Sequence, residues 1–210
     1  MLIKKGAEAN IHLGEWNGRK VIEKKRITKE YRLKEIDTAL RSYRTAHEAQ
    51  IIHEAKKAGV PTPIIYQVDR SASTIIMERV EGERLKELLP RLSAKARRKL
   101  CRLVGQNIAK MHQRDIIHGD LTTSNMILLE NGEVCLIDFG LSYFSDELED
   151  RGVDLHLIKR ALNSAHYRVA ESCFAEIKGG YVSLTGRRQA EEVFKKVNEI
   201  EKRGRYSERM

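Results

Sequence analysis

Three polar side chains near the middle of the chain have the types and the spacing that phosphoryl transfer requires. Asp120 is followed five residues later by Asn125, and Asp138 stands in an Asp-Phe-Gly segment after an apolar run. The carboxylate of Asp120 can orient an attacking hydroxyl or water. Asn125 and Asp138 supply the hard oxygen ligands that Mg²⁺ prefers. The stretch from Ile116 to Ser142 therefore predicts binding of a nucleoside triphosphate with its magnesium.

Two charged residues nearer the N-terminus extend this set to five. Lys24 lies in a strand-like run and Glu48 in a helix-like run, although Glu54 is a second candidate for the glutamate. Each residue taken alone is most often a solvated charge. The order Lys, Glu, Asp, Asn, Asp resembles the set of protein kinases, in which the Lys holds the α- and β-phosphates. We therefore predict an enzyme that uses ATP and Mg²⁺, with Lys24 and Asp120 as catalytic residues.

The elements that must position Lys24 and Glu48 follow from turn residues and apolar spacing. Asn17-Gly18 is typical of a type I′ hairpin turn, and alternation along the next strand puts Ile22 and Lys24 on one face. A helix is expected over about Ile36–Ala58, with Glu48 beside its apolar stripe. That stripe consists of Leu40, Tyr43, His47, Ile51 and Ala55.

The C-terminal elements are predicted in the same way. Ser93 is expected to cap a helix that runs to about Gln113, and Asn131-Gly132 indicates a hairpin inside the motif stretch. The chain from Val153 onward is expected to be helical. Asp154 is expected to cap the first of these helices and to anchor the loop that carries the catalytic aspartate.

Several segments resemble one small atypical branch of the protein kinases. These segments are GAEANI, VIEKKRITKEYR, RTAHEA, HGDLTTSN, IDFGLS, EDRGVDL and RGR. They are similar to the kinase subunit of the KEOPS complex, the PRPK family, which is related to the RIO kinases. The similarity extends over about residues 6–205.

This resemblance implies an α+β fold, a minimal two-lobed protein-kinase-like structure. Residues 1–80 would form an N-lobe with a small antiparallel sheet and one long helix. Residues 81–210 would form a reduced, mainly helical C-lobe that ends in a basic tail. The activity implied is that of an atypical serine/threonine kinase and ATPase that supports threonylcarbamoyladenosine formation on tRNA. ATP hydrolysis and serine phosphorylation remain alternatives for the physiological reaction.

The same resemblance assigns the nucleotide-binding residues. Met77 would lie at the back of the adenine pocket, while Glu78 and Val80 would offer backbone hydrogen bonds to the purine. Asn125 and Asp138 would be the metal ligands. The full set expected to bind ATP is Gly6, Ala7, Glu8, Ala9, Lys24, Glu48, Met77, Glu78, Val80, Asn125 and Asp138.

The expected partners are the catalytic threonylcarbamoyl-transferase subunit of KEOPS, a small cystatin-like subunit on the N-lobe, and tRNA. The tail would reach tRNA through Lys202, Arg203 and Arg205, and Tyr206 could stack on a base. A formal net charge of +9 also favours an anionic partner, although solubility alone could account for it. Six Lys and Arg residues and no acid lie within Arg91–Arg102.

Four departures from ordinary protein kinases qualify this prediction. The phosphate loop has one glycine, Gly6, which predicts a looser hold on the nucleotide. Gly119 replaces the Arg that binds a phosphorylated activation loop, so control by loop phosphorylation is not expected. Thr122 replaces a Lys that stabilises the transferring phosphate, which predicts slow chemistry. The segment 140–152 is short and contains no APE motif, so no platform for an extended peptide is expected.

Other functions stay open at this point. The first alternative is a stand-alone RIO-like serine protein kinase, the second a non-enzymatic scaffold that retains ATP for its shape, and the third a small-molecule phosphotransferase. The three widely spaced cysteines, odd in number, predict neither a disulfide framework nor a zinc site. Because no apolar run could span a bilayer, we expect a cytoplasmic protein without a membrane partner.

Overall fold

The computed structural model describes the backbone of residues 1–207 and the side chains of residues 1–203. The chain divides into two units. Unit one consists of Met1–Glu54 and Thr62–Val80, and unit two consists of Ala55–Pro61 and the chain from Glu81 onward.

Unit one contains a five-stranded antiparallel sheet and most of one long helix. The strands are β1 (Leu2–Lys5), β2 (Ala9–Trp16), β3 (Arg19–Arg26), β4 (Ile65–Asp69) and β5 (Thr74–Glu78), and the helix is α1 (Lys34–Lys57). The strand order is β1-β2-β3-β5-β4, which places β3 at the centre of the sheet.

The β2–β3 turn sets the register of this sheet. Asn17 and Gly18 both have positive φ angles, of 48° and 74°, as the predicted type I′ turn requires. The turn pairs Trp16 with Arg19 and, further along, Ile11 with Lys24. A two-residue turn therefore decides which strand position Lys24 occupies and which face it shares with its neighbours.

The face of α1 that packs on the sheet differs from the predicted stripe. Ala49 joins a buried cluster with Ile75 and Met77, but Tyr43 is 61% exposed and stacks on His47. Thr45 and Glu48 are buried instead. The prediction for Tyr43 was wrong because apolar periodicity cannot register that this helix buries charged and polar groups against the sheet.

Unit two is mainly helical and carries two small sheets. Its helices are α2 (Leu85–Leu88), α3 (Ala94–His112), α4 (Leu148–Ala165), α5 (Ala170–Thr185) and α6 (Arg187–Ser207). Its strands are β6 (Glu83–Arg84), β7 (Ile116–Ile117), β8 (Met126–Leu128), β9 (Val134–Leu136) and β10 (Tyr143–Phe144). The sheets have the orders β6-β8-β9 and β10-β7. None of the helices described for this chain is long and apolar enough to cross a membrane.

Helices α3 and α5 approach closely enough to bring their backbones into contact. The side chain of Ser93 accepts a hydrogen bond from the Ala96 amide, so the predicted cap of α3 is confirmed. A Cβ at Gly105 would lie 2.0 Å from the carbonyl oxygen of Ile177, and one at Gly180 would lie 2.0 Å from that of Arg102. The glycine on each helix therefore permits α3 and α5 to pack with their backbones in contact.

A buried carboxylate on α4 holds the loop that follows β7. Asp154 is fully buried, and its two oxygens accept hydrogen bonds from the backbone amides of His118 at 2.7 Å and Gly119 at 2.8 Å. His112 also contacts it, at 3.3 Å. The loop-anchoring contact expected of Asp154 is present. The capping prediction was wrong, because α4 begins six residues earlier at Leu148 and Asp154 lies within the helix.

Gly180 and its neighbour Gly179 provide a matched test of the α3–α5 packing. We expect Gly180→Ala to lower the free energy of unfolding by about 2 kcal/mol through overpacking. A Cβ at Gly179 would meet only Arg102 Nη1, at 3.9 Å, so Gly179→Ala should raise stability by about 0.5–1 kcal/mol through helix propensity. Urea denaturation followed by circular dichroism measures both changes. Equal effects of the two substitutions would contradict the close approach.

Asp154→Asn tests the anchor of the loop. The amide retains one acceptor oxygen, so one of the two buried backbone N–H groups loses its partner, and we expect a loss of about 2–3 kcal/mol in the free energy of unfolding. The control is Asp115→Asn, at an exposed ion pair with Arg151, where a change below about 1 kcal/mol is expected. If both variants unfold at the same urea concentration as the parent, the carboxylate does not hold the loop.

Candidate active site

The structure brings Lys24 and Glu48 into direct contact within unit one. Lys24 Nζ lies 2.6 Å from Glu48 Oε1, and both side chains are buried. Lys24 comes from β3 and Glu48 from the face of α1 that packs on the sheet. Glu54, the competing glutamate, is half-buried one and a half turns further along the helix. The helix phase therefore selects Glu48 as the partner of the strand lysine.

A second cation, which sequence reasoning missed, shares the same carboxylate. Arg26 Nη2 lies 2.6 Å from Glu48 Oε2, and the Arg26 side chain is 4% exposed. The sequence does place Arg26 beside Lys24, because alternation along β3 puts Ile22, Lys24 and Arg26 on one face. A charge at the end of a strand is normally solvated, so only the packing of α1 distinguishes this arginine from its basic neighbours.

The predicted phosphate loop, Gly6–Ala9, is a tight turn tethered to the rest of unit one. The Gly6 amide donates to the Ala9 carbonyl at 3.1 Å, and a Cβ at Gly6 would approach that oxygen to 2.6 Å. Lys29 Nζ donates to the Ala7 carbonyl at 2.5 Å. The carboxylate of Glu8 forms an ion pair of 2.8 Å with Arg44 on α1. Glu8 thus contacts the helix that also carries Glu48.

The residues predicted to meet a purine lie at the end of β5. Met77 is 8% exposed and belongs to the buried cluster under the sheet. The Glu78 amide donates to the Ile64 carbonyl at 2.7 Å, and the Glu78 carboxylate accepts from the Ile64 amide at 2.9 Å. Val80 lies two residues beyond the strand and is half-buried.

Asp120 and Asn125 are brought together in unit two. Asn125 Nδ2 donates to the Asp120 carboxylate at 2.8 Å and to the Asp120 carbonyl at 3.0 Å. Asn125 ends a single 3₁₀ turn, Thr123–Asn125, which reverses the chain between the aspartate and β8. Because the amide nitrogen is occupied by Asp120, the amide oxygen of Asn125 is the atom suited to a metal ligand.

Asp138 is held next to this pair by its neighbours in the chain. The Ile137 amide donates to the Asn125 carbonyl at 2.9 Å, and Phe139 is buried against the His118 ring at 4.7 Å between centroids. Asp138 itself is exposed and has φ 65°, a left-handed conformation that Asp adopts more readily than most residues. The buried neighbours therefore leave an outward-facing carboxylate.

The backbone explains why residue 119 is a glycine. Gly119 has φ 76°, and a Cβ there would lie 2.4 Å from the Leu141 carbonyl oxygen. Any larger side chain, including the arginine found in ordinary kinases, would displace the segment after Phe139. The Ser142 hydroxyl donates to the His118 carbonyl at 2.7 Å and fastens the same segment.

Two histidines form the buried support of the loop, and sequence reasoning did not place His112 there. His112 lies 3.0 Å from the Tyr181 hydroxyl and 3.3 Å from the Asp154 carboxylate. Burial lowers the pKa of His118 below its ordinary value, so its ring is neutral at neutral pH. Both rings therefore act as packed supports, and no spacing in the sequence distinguishes them from other histidines.

The donor set fits a magnesium ion that is shared with a bound phosphate. Within residues 1–207, no group of three or more His, Cys, Asp and Glu side chains could hold a metal ion. Mg²⁺ is usually bound through one or two protein oxygens, with water and substrate phosphate completing the octahedron. The Asn125 amide oxygen and the Asp138 carboxylate are ligands of this kind.

The described part of the basic tail is helical, as expected of the chain from Val153 onward. Helix α6 continues to Ser207, so Lys202 and Arg203 lie in regular helix, and Arg203 forms an ion pair with Glu149 on α4. The side chains of Arg205 and Tyr206 lie outside the described residues, so their predicted contacts with tRNA stay predictions. A glycine at position 204 lowers helix propensity but does not prevent a helix whose other face is packed.

Comparison with known proteins places this arrangement in a family. The family model for the protein kinase domain matches residues 9–172. The chain is 51% identical to the KEOPS complex subunit Bud32 of Pyrococcus abyssi, over 99% of this chain and 97% of the relative. It is 40% identical to the probable serine/threonine-protein kinase BUD32 homolog of Archaeoglobus fulgidus, over 100% of this chain and 98% of the relative.

A second group of relatives is longer than this chain. The probable bifunctional tRNA threonylcarbamoyladenosine biosynthesis protein of Methanothermobacter thermautotrophicus is 45% identical over 99% of this chain, which spans 37% of that relative's length. These matches confirm the predicted family and, with the antiparallel sheet of unit one and the helices of unit two, the predicted kinase-like α+β fold. The chain belongs to the protein kinase family and, within it, to the Bud32 branch.

Proposed function

We propose that the chain binds ATP with Mg²⁺ and hydrolyses it, or transfers its terminal phosphoryl group to a serine, as a subunit of a KEOPS complex that forms threonylcarbamoyladenosine on tRNA. The names of the Bud32 and bifunctional relatives support this assignment. The observation that carries the enzymatic part of this proposal is the pairing of residues expected of a kinase: Lys24 with Glu48, and Asp120 with Asn125.

Each group has a defined part in the proposed reaction. Lys24, held by Glu48, would bind the α- and β-phosphates, and Asp120 would orient the attacking water or serine hydroxyl. Asn125 and Asp138 would hold Mg²⁺, which when bound neutralises charge on the phosphate oxygens. The fixed amide nitrogen of Asn125 leaves its oxygen directed away from Asp120, which suits this division of labour.

The remaining predicted residues would bind the rest of the nucleotide. The backbone amides of Gly6–Ala9 would approach the phosphates, and Met77 would contact the adenine. Because the Glu78 amide is engaged by Ile64, Glu78 would accept from the purine through its carbonyl, and Val80 would donate through its amide. Glu8 would act through Arg44 by holding the loop, rather than on the nucleotide itself.

The structure supports slow turnover and poor binding of peptide substrates. Thr122 supplies no cation for the transferring phosphate. After Phe139 the chain pairs at once with β7 through Tyr143 and Phe144 and enters α4 at Leu148. This short connection offers no extended surface for a peptide. An accessory ATPase fits these features better than a kinase with many substrates.

The stand-alone serine protein kinase is the second candidate. The name of the Archaeoglobus fulgidus relative, a probable serine/threonine-protein kinase, favours it. Rapid turnover on a free protein substrate, without transferase subunit or tRNA, would establish this second candidate in place of the first.

The proposed partners are the threonylcarbamoyl-transferase subunit, a cystatin-like subunit on unit one, and tRNA, all in the cytoplasm. The bifunctional relatives support the first of these, since they combine a region like this chain with a longer additional part. The tRNA contact has a structural candidate besides the tail. On α3, the exposed cations Lys95, Arg98, Lys99 and Arg102 recur at helical spacing, which puts them on one face.

Asp138→Ala tests the enzymatic proposal. We expect ATP turnover in the presence of transferase subunit and tRNA to fall about 100-fold or more, since a ligand of the charge-neutralising ion is lost. Threonylcarbamoyladenosine formation should fall with it. The control is Asp146→Ala, an exposed aspartate in the same segment, which should retain parental activity. Unchanged turnover and unchanged tRNA modification in Asp138→Ala would contradict the proposal.

The α3 surface is tested by the salt dependence of tRNA binding. We expect R98Q/K99Q to weaken binding and to reduce the slope of log K against log salt by about 2, because each phosphate contact contributes about one unit. The control R187Q/R188Q removes two cations that already pair with Glu191 and Glu192. If both double variants bind tRNA alike, the α3 face is a solvated surface and does not contact RNA.

A further inference from the structure

Glu48 carries two buried cations, and only one of them belongs to the set that binds phosphate in kinases. We propose that the second, Arg26, is a positioning residue: it fixes α1 so that Glu48 is permanently set to serve Lys24. This inference rests on the proposed function, since Lys24 is taken to bind ATP. It adds a residue and a mode of control that the family assignment does not supply.

The backbone of Arg26 is fixed in the sheet. Its amide donates to the Ser73 carbonyl at 3.0 Å, and it pairs with Ala9 at the start of β2. Arg26 therefore stands at the base of the phosphate loop, at the end of the central strand. A side chain that starts from this position reaches α1 from a rigid support.

The guanidinium of Arg26 contacts two successive turns of α1. Its Nη2 donates to Glu48 Oε2 at 2.6 Å and to the Arg44 carbonyl at 3.3 Å. Arg44 in turn pairs with Glu8 in the phosphate loop at 2.8 Å. One side chain thus joins the central strand to the part of the helix that holds both the glutamate and the phosphate loop.

The two cations do not compete for the same atom of Glu48. Lys24 occupies Oε1 and Arg26 occupies Oε2. When Lys24 engages a phosphate, Glu48 still keeps a charge-assisted hydrogen bond to Arg26. The position of the helix therefore does not depend on the lysine that must also bind substrate.

Stability alone does not account for an arginine at this position. Within the described residues, the buried Nε of Arg26 has no hydrogen-bond partner, and an unpaired buried donor is unfavourable. Replacing a buried ion pair with apolar side chains often leaves stability unchanged or improves it. An apolar pair would thus serve the packing at least as well, whereas Arg26 together with Glu48 adds a directed contact between β3 and α1.

A built-in clamp also explains how this kinase dispenses with loop phosphorylation. In protein kinases, helix position and activation-loop phosphorylation control whether the Lys–Glu pair forms. Here the Gly119 backbone leaves no room for an arginine that would read a phosphorylated loop. Arg26 supplies the helix constraint within unit one instead, so the pair needs no modification to form.

The test compares R26M and R26K in the full chain, with R70M as a control at an exposed turn. We expect R26M to lower the melting temperature, because the buried Glu48 Oε2 loses its donor. ATP turnover with transferase subunit and tRNA, measured well below that temperature, should fall about tenfold. The conservative R26K should stay within about threefold of the parent, because a cation remains beside Glu48. R70M should match the parent.

Hydrogen exchange separates this inference from the proposed function, since it needs no ATP. We expect the amides of α1 around Arg44–Glu48 to exchange about tenfold faster in R26M, whereas K24M leaves them protected because the clamp is intact. Parental exchange in R26M, or equal loss of protection in R26K and R26M, would overturn the clamp. If the parent itself neither binds nor turns over ATP, the proposed function fails, while the exchange result still decides the role of Arg26.

Discussion

Both units depend on one physical constraint: each oxygen of a buried carboxylate must have its own donor. In unit one, the oxygens of Glu48 are divided between Lys24 and Arg26. In unit two, the oxygens of Asp154 are divided between two successive backbone amides, those of His118 and Gly119. An ionised carboxylate removed from water is tolerated only with such partners. Because of this requirement, each carboxylate acts as a joint, that is, a contact that fixes a helix to a neighbouring segment: Glu48 fixes α1 to β3, and Asp154 fixes α4 to the loop at His118 and Gly119.

The two joints act on different parts of the chain. Glu48 links a helix to a strand through side chains, so it can be tuned by the choice of cation. Asp154 links a helix to a loop through two backbone amides, so this contact uses no side chain of the loop. Gly119 follows from this geometry, because its positive φ and its contact with Leu141 leave space for no Cβ. The glycine at position 119 is thus a consequence of backbone packing.

Positive charge is distributed unevenly over unit two. Cations in the first turns of a helix oppose the helix dipole, and yet Lys95, Arg98 and Lys99 lie in the first two turns of α3, where acidic residues are absent. At the other end of unit two, Arg203 is neutralised by Glu149. Among the described residues, the cations at the start of α3 thus lack nearby acids on their own helix turn, whereas Arg203 has an ion-pair partner. The contact of the tail with tRNA stays a prediction.

The sequence by itself determined the features that are local or depend on spacing. The sequence predicted the Asn17-Gly18 hairpin, the cap at Ser93 and the family. Each of these depends on a few adjacent residues or on ordered motifs. The order of Asp120 and Asn125 likewise predicted a pair whose side chains are hydrogen-bonded in the structure.

Only the tertiary structure decided which distant side chains share a buried charge. Arg26 looked like one basic residue among many, Tyr43 like a core residue, and Asp154 like a helix cap. Apolar periodicity reports which face of an element avoids water, but it does not report which polar groups cross that face to meet one another. That pairing depends on how α1 lies on β3 and how α4 lies under the loop, so it exists only in the folded chain.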